Sequence, residues 1–552
     1  STTQPLPKIT AVATDWPACA RLSTVAPAGQ SAASYTTQWG TTDTPYKAPA
    51  LEGGRSFDRG DTRGSRGQVP RDAPIDPGIL SGDGKSSVMT APASRGGSAS
   101  FILGHRLDKN GEPGERLQYH GERHILVFGP NGSGKGTRLL VPNLLQMTDR
   151  SLVVVDPKGE LAAITAPFRR TIGEVFILNP FGVLTDRPEY ADLKSQGYNP
   201  LTALDPASSS FNSDAAWLAE ALVSVESRDP HWDRSARKLI AALIMHVRVK
   251  EKENASLPKV RELLTEPVAD PDEAFPFGRG LAATAIEMAT SPLPAIRNKA
   301  GQFARESKEV EGIISTADTQ TEALDDAEIA ADLSMGSLDF RELKTRPITV
   351  YLILPPDMIE RHKRWLRLIL SSALRGVMRP RKRGDLPVSF IIDEFAALGH
   401  LSIIEAVWAL VRGYGIQLIP VLQDLNQLKA LYHDRWETFI GMAGATVAFG
   451  PNDMTTAGWM SQRAGETTET VEGGSITQPR LFSRDSASSS ISFSRQARPY
   501  LSVHDLFDTP EGRVYLWLAG VADVNRLYAP MYVKIRACRD LARANPYYLG
   551  ED

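Results

Sequence analysis

Cysteine is almost missing from this chain: among 552 residues only Cys19 and Cys538 occur, far apart. Two such residues build neither a disulfide framework nor a thiolate cluster, which points to a reducing compartment. No stretch approaches the roughly 18 consecutive apolar residues that would cross a bilayer. The first residues lack the basic-then-apolar pattern of a secretory leader; ahead of Ser1, either an initiator methionine has been removed or an upstream segment is absent. An excess of charge is missing too. With 62 Lys+Arg against 65 Asp+Glu the formal net charge is −3, so a nucleic-acid partner would have to be held by local basic loops. His231, His246 and His362 stand at no metal-ligand spacing with carboxylates or cysteines, and no structural metal is expected.

What is present is ordinary for a globular chain, with 42% hydrophobic and 23% charged residues. The length predicts two to four domains with large cores. Residues 1–96 are rich in Ser, Thr, Gly, Ala and Pro, with little apolar periodicity, and are expected to be largely disordered. There Arg55, Arg59, Arg63, Arg66 and Arg71 alternate with Asp58, Asp61 and Asp72, the pattern of a solvated linker or of a tether for DNA or a partner.

From residue 97 the pattern becomes α/β. Strand-like runs at 124–128, 151–155, 174–178, 348–354, 388–392, 416–422 and 445–449 are separated by helical or loop segments. Several are continuously apolar, which favours a mostly parallel sheet covered on both faces. Between 205 and 335 strand signals vanish. Trp217, Leu218, Ala221, Leu222 and Val225, then Leu239, Ile240, Leu243, Ile244 and Val247, recur at helical spacing, an inserted all-α domain. The blocks are therefore 97–204, 205–335 and 336–552, the last with an expected mobile loop at 483–494 and closing strands near 513–519 and 531–535.

The run His124–Phe128 leads into Gly129-Pro130-Asn131-Gly132-Ser133-Gly134-Lys135-Gly136-Thr137. A buried strand, a glycine-rich turn and a helix in that order wrap a triphosphate. Gly129, Gly132 and Gly134 permit left-handed backbone and let N–H groups converge on phosphate, while Lys135 adds a point charge near the β and γ phosphates. The opening helix contributes its positive dipole end. One detail departs from the usual pattern, in which a hydroxyl follows the lysine. Here Gly136 intervenes, and Thr137 is offset by about 100° along a helix from the Mg²⁺ position.

Val388–Ile392 delivers Asp393-Glu394 to a strand end, the second half of an ATPase site. Asp393 would hold Mg²⁺ and Glu394 would polarise the attacking water; an acidic pair capping a helix has the same spacing. Gln423 ends the run 416–422 and could sense the γ-phosphate, or be a loop glutamine. Arg412 in Arg-Gly-Tyr-Gly is placed to reach a neighbouring subunit's nucleotide, or to sit in a surface salt bridge. Asp156, in Asp-Pro-Lys-Gly-Glu-Leu, ends the strand after the glycine loop and would face ligand, or cap a helix. His231-Trp232-Asp233-Arg234, continuing to Lys238, would grip a nucleic-acid strand, or form an exposed helix face with one buried tryptophan.

Taken together these motifs resemble the coupling-protein ATPases of bacterial type IV secretion and conjugation. The resemblance extends to Asp-Glu-Phe-Ala-Ala-Leu-Gly-His-Leu at 393–401, Gly-Tyr-Gly-Ile at 413–416, Gln423-Asp-Leu-Asn-Gln-Leu-Lys429 and Trp232…Ser235-Ala236 running to Leu243, over roughly 97–535. It implies a RecA-like P-loop motor with an all-helical insert that receives substrate. Lys135 and Thr137 would belong to Walker A, Asp393 and Glu394 to Walker B, Gln423 would be the sensor and Arg412 the trans arginine finger. Gly136 also resembles the secretion-type members. The implied cofactors are ATP and Mg²⁺. The implied partners are copies of the chain in a hexameric ring, relaxase-bound single-stranded DNA or effector proteins, and the secretion channel.

Family members usually begin with transmembrane helices and work at the cytoplasmic face of the inner membrane; no such run occurs here, as in a truncated cytoplasmic portion or a soluble relative. Two rival readings fit the same motifs. One is a nucleotide-switched docking receptor with little pumping activity, the other a double-stranded DNA translocase.

Overall fold

Continuous apolar runs set the architecture. The computed structural model describes residues 100–108, 110–224, 230–270, 278–304, 307–410, 413–477 and 488–548, all within the unit Asp76–Asp552. Residues 1–96 and Arg412, both subjects of expectations above, lie outside the described residues. The strands in chain order are β1 (Phe101–Leu107), β2 (Pro113–Tyr119), β3 (Ile125–Phe128), β4 (Ser151–Val155), β5 (Glu174–Leu178), β6 (Ile348–Leu352) and β7 (Val388–Ile392). They continue with β8 (Ile416–Leu422), β9 (Ala445–Phe449), β10 (Glu466–Thr477), β11 (Ser488–Pro499), β12 (Arg513–Leu518) and β13 (Asn525–Tyr528). Eleven form one sheet in the order β2-β1-β13-β12-β9-β3-β8-β7-β4-β6-β5. From β9 to β5 every pairing is parallel; β12, β13, β1 and β2 extend the β9 edge antiparallel.

Alternation along each strand divides the core in two. Leu126, Phe128, Val153 and Val155 enter one apolar cluster, and Ile125, Val127, Leu152 and Val154 the other. A sheet buried on both faces has to read as unbroken Val, Ile and Leu, as these runs do. The exceptions are paired. Ser389 and Gln417 accept hydrogen bonds from the buried Arg150 guanidinium at 2.9 and 3.0 Å, and Thr349 accepts from Arg169 at 2.9 Å. These polar side chains give two buried cations hydrogen-bond acceptors inside the sheet, although the Nη2 of Arg150 has none among the described residues.

Between β5 and β6 the described residues form helices, the longest being Pro230–Glu251, and one isolated bridge, Ala269–Arg279. Their apolar stripes merge with one sheet face into a single cluster, Leu239, Ile240 and Leu243 sharing it with Val153 and Phe390. The long helix Pro356–Val377 ties the two regions together. Arg375 pairs with Asp214 at 2.9 Å, and Trp365 donates to Asp332 at 2.9 Å.

Two expectations about the later chain are corrected. Of the stretch 483–494 expected as a mobile loop, residues 483–487 lie outside the described residues and 488–494 lie in β11, which pairs antiparallel with β10 over its full length; the Thr and Val content of the partner sequence supplies strand preference that local serine content hid. The run near 531–535 is a short 3₁₀ turn, Tyr532–Lys534, and the last strand is β13. Among the described residues no helix is long and apolar enough to cross a membrane.

Trp365 is fully buried and hydrogen-bonded at the junction of helices and sheet. Trp365→Ala is expected to destabilise the chain by about 3–5 kcal/mol, measured as a lowered urea midpoint; a shift below about 1 kcal/mol would show that the junction does not depend on it.

Candidate nucleotide site

Backbone pairing assembles the site. β8 lies between β3 and β7, and β4 follows β7. Gly129 N–H donates to Leu422 O at 3.0 Å, Asp393 N–H to Val155 O at 3.2 Å and Asp156 N–H to Leu352 O at 2.9 Å. Gly129, Gln423, Asp393 and Asp156 thus leave the sheet along one carboxyl-end edge, where α/β sheets bind ligands.

The glycine loop uses its glycines in two ways. Gly134 is left-handed at φ 85°, and a Cβ there would meet the Arg138 side chain at 2.7 Å. Gly129 has no left-handed backbone, contrary to expectation. Its need is space, since a Cβ would lie 2.8 Å from Ser133 Oγ and 3.1 Å from Phe449. The helix that follows opens in wide turns over Lys135–Leu140, with Val141 N–H reaching back five residues to Gly136 O, and continues through Val141–Leu144. A widened first turn accommodates the extra glycine after the lysine. Thr137 sits half-buried on it.

Lys135 is buried and folds onto its own loop, donating to Gly129 O at 2.6 Å and Pro130 O at 3.0 Å. Burial holds its ammonium below the usual range, opposed by the carboxylates of Asp393 and Glu394. The Ser133 hydroxyl is buried and has no hydrogen-bond partner among the described residues. An orphaned hydroxyl and a lysine resting on carbonyls are groups that a bound phosphate would satisfy. Pro130, Asn131 and Gly132 complete the loop, with Asn131 and Gly132 exposed.

Burial raises the Asp393 carboxyl to about 6; Lys135 lowers it, while Glu394 and Glu160 raise it. Asp156, also raised by burial, reaches about 7. Its Oδ2 accepts from Ala162 N at 2.8 Å, so it caps a helix as well as facing Asp393. Glu394 caps nothing through its side chain; it sits left-handed at φ 61°, and its carboxylate accepts from Gln423 Nε2 at 3.1 and 3.3 Å. A lysine, hard oxygen ligands and a second carboxylate beyond them form a donor set that fits a magnesium-bound triphosphate.

Sequence reasoning missed how this edge is braced. Asn545 Nδ2 donates to Glu160 Oε1 at 2.6 Å, and the Tyr547 hydroxyl donates to Lys158 O at 2.7 Å. Arg138, one turn beyond Lys135, donates to Ala529 O at 3.0 Å and pairs with Glu511. Glu160 and Lys158 stood inside a recognised motif, but nothing local announces partners nearly four hundred residues away. Trp232 is half-buried, packed where Gly312 leaves room for its ring, and His231 lies 3.2 Å from Glu309.

The mostly parallel sheet with its strand, glycine loop and helix is a RecA-like P-loop fold. Residues 83–520 match the family described as Type IV secretory system Conjugative DNA transfer, and the chain belongs to it. It is 26% identical over 442 residues to a conjugal transfer protein TraG of Escherichia coli, covering 75% of this chain and 66% of that one. It is 25% identical over 366 residues to protein VirD4 of Rhizobium radiobacter, covering 65% and 50%. The chain thus spans about half to two thirds of the length of these curated relatives. The plasmid coupling protein TrwB in complex with ADP and Mg²⁺ shares the fold, with a TM-score of 0.53 and 17% identity over 78% of this chain and 95% of that one.

Because Asp393 binds its proton more tightly folded than unfolded, stability falls as pH rises from the ordinary 3.8 through about 6. Asp393→Asn is therefore expected to raise the melting temperature of the nucleotide-free protein at pH 7 while abolishing magnesium-dependent nucleotide binding. In the unsubstituted chain that binding should strengthen as pH rises through about 6. Glu160→Gln should move the midpoint lower, because a carboxylate repelling Asp393 is gone; calorimetric titration across pH checks both.

Proposed function

We propose that this chain is an ATP-hydrolysing coupling protein that recruits substrate and delivers it to a type IV secretion channel. One observation carries the reading: Lys135 and the Asp393-Glu394 pair, far apart in sequence, share one sheet edge with only the Gln423 strand between them. Family membership supports it, as do the names of the relatives.

In this reading the loop from Gly129 to Thr137 cradles the phosphates, and Lys135 turns from Gly129 O and Pro130 O toward them. Asp393 and Thr137 would hold Mg²⁺, which when bound would neutralise charge on the phosphates. Glu394 orients the attacking water, and Gln423 releases it on sensing the γ-phosphate. Arg412 acts on the nucleotide of the next subunit in a hexameric ring. The blocks 97–204 and 336–552 form the motor, and 205–335 the receptor domain for relaxase or effectors. Single-stranded DNA is gripped through its backbone in the pore, and the ring works at the inner membrane.

Lys135→Ala and Glu394→Gln are each expected to lower ATP turnover about a hundredfold or more, with the circular dichroism spectrum unchanged. Near-normal turnover in both would remove the assignment. Single-stranded DNA should stimulate turnover strongly in a motor and hardly at all in a nucleotide-switched receptor; stronger stimulation by duplex would favour a double-stranded DNA translocase.

A further inference from the structure

The turn after β4 carries a cation that has no role in the reaction proposed above. Val155 pairs with Ile392, so Asp156 and Asp393 leave their strands side by side. The chain then turns, with Gly159 N–H donating to Asp156 O at 3.1 Å and Gly159 left-handed at φ 67°. Asp156 and Gly159 are buried, while Lys158 between them is exposed. Two lysines thus share one edge and differ in what holds them. Lys135 is buried and donates to Gly129 O and Pro130 O. The Lys158 ammonium makes no hydrogen bond or ion pair among the described residues. Its charge still reaches both halves of the site. Burial is the largest influence on Asp393 and on Lys135, and among the smaller ones is Lys158, which lowers both.

The turn is strapped from behind by the C-terminal stretch. Arg543 N–H donates to Ile164 O at 2.9 Å, and the Arg543 Nε to Ala163 O at 2.7 Å. Asn545 donates to Glu160 Oε1 at 2.6 Å and accepts from Tyr547 N–H at 2.9 Å. The Tyr547 hydroxyl then donates to the Lys158 carbonyl at 2.7 Å. This last bond fixes where the Lys158 side chain starts and leaves its charge unused.

We infer that Lys158 is a second phosphate-binding cation of the nucleotide site, directed at the terminal phosphate, and that Tyr547 is its positioning residue. The inference rests on the proposed nucleotide reading and adds one residue to the site and one to its support. The sheet order β3-β8-β7-β4 puts the glycine loop and Lys158 on opposite sides of the acidic pair. Three strand spacings, about 14 Å, separate β3 from β4. A glycine loop takes the inner phosphates, so the last phosphate is the one that extends past Asp393 toward β4. A diphosphate stops short of it. A long, flexible lysine whose backbone alone is held can reach back across that gap. A lysine that merely offset Asp393 would not tell a triphosphate from a diphosphate.

The test uses the full chain and calorimetric titration with two probes in the presence of Mg²⁺, ADP and the non-hydrolysable ATP analogue ADPNP. Lys158→Gln is expected to weaken ADPNP about tenfold and ADP about twofold or less. Lys158→Arg, which keeps the charge, should recover most of the loss. Tyr547→Phe removes only the hydroxyl and should weaken ADPNP about threefold, with ADP unaffected. In the Lys158→Gln background it should add nothing, because both changes act through one contact. Thermal midpoints should stay unchanged, since Lys158 and Tyr547 are exposed. If Lys158→Gln weakens both nucleotides equally, weakens neither or tightens both, the inference is overturned and the glycine loop with Asp393 stands as a nucleotide site. If Tyr547→Phe has no effect, or weakens ADPNP further beside Lys158→Gln, the positioning role is overturned. An unsubstituted chain that binds neither nucleotide sinks the inference and the site reading together.

Discussion

Everything at the nucleotide edge depends on one pairing pattern: β8 is hydrogen-bonded to β3 on one side and to β7 on the other. Parallel strands advance in step, so the ends of neighbours emerge at the same height. The glycine loop, the Gln423 amide and the acidic pair are brought to one edge by the ladder, and the Gln423–Glu394 hydrogen bonds then join two of them directly. Continuous hydrophobicity makes this possible. A strand buried on both faces has no polar face to turn outward, and its partners are set by the helices that cover it.

The same burial creates tension at the site. Asp393 and Asp156 both have carboxyls raised by poor solvation, and Lys135 is lowered by it. Without ligand these groups partly neutralise one another, and the lysine leans on carbonyl oxygens. The magnesium-bound triphosphate proposed for this edge would supply charges complementary to these groups.

Much of this was readable in the chain. The runs 151–155, 388–392, 416–422 and 445–449 coincide with β4, β7, β8 and β9, because short, mostly apolar and β-branched runs bounded by Gly, Pro or Asp leave few alternatives. The glycine loop and the acidic pair stand out in the sequence by residue type and spacing, and the structure brings both to one sheet edge. What was not legible was antiparallel or long-range. β1, β2 and β13 are partly polar, and they gain strand character from pairing along the antiparallel edge that β12 begins. The bracing of Glu160 by Asn545 and of Arg138 by Ala529 spans hundreds of residues and carries no periodicity. Gly129 shows a subtler limit: the residue was identified, but the reason for it, room beside Phe449, required the packed neighbour.

The Asn545–Glu160 link also bears on how the molecule is born. During synthesis the glycine loop emerges first, the acidic pair some 250 residues later and the brace about 150 residues after that. Loops of such length close slowly and only once their far ends exist. A ribosome-bound chain can therefore display the glycine loop long before the carboxylates and their strut arrive, and the completed edge comes into being only once Asn545 has left the tunnel.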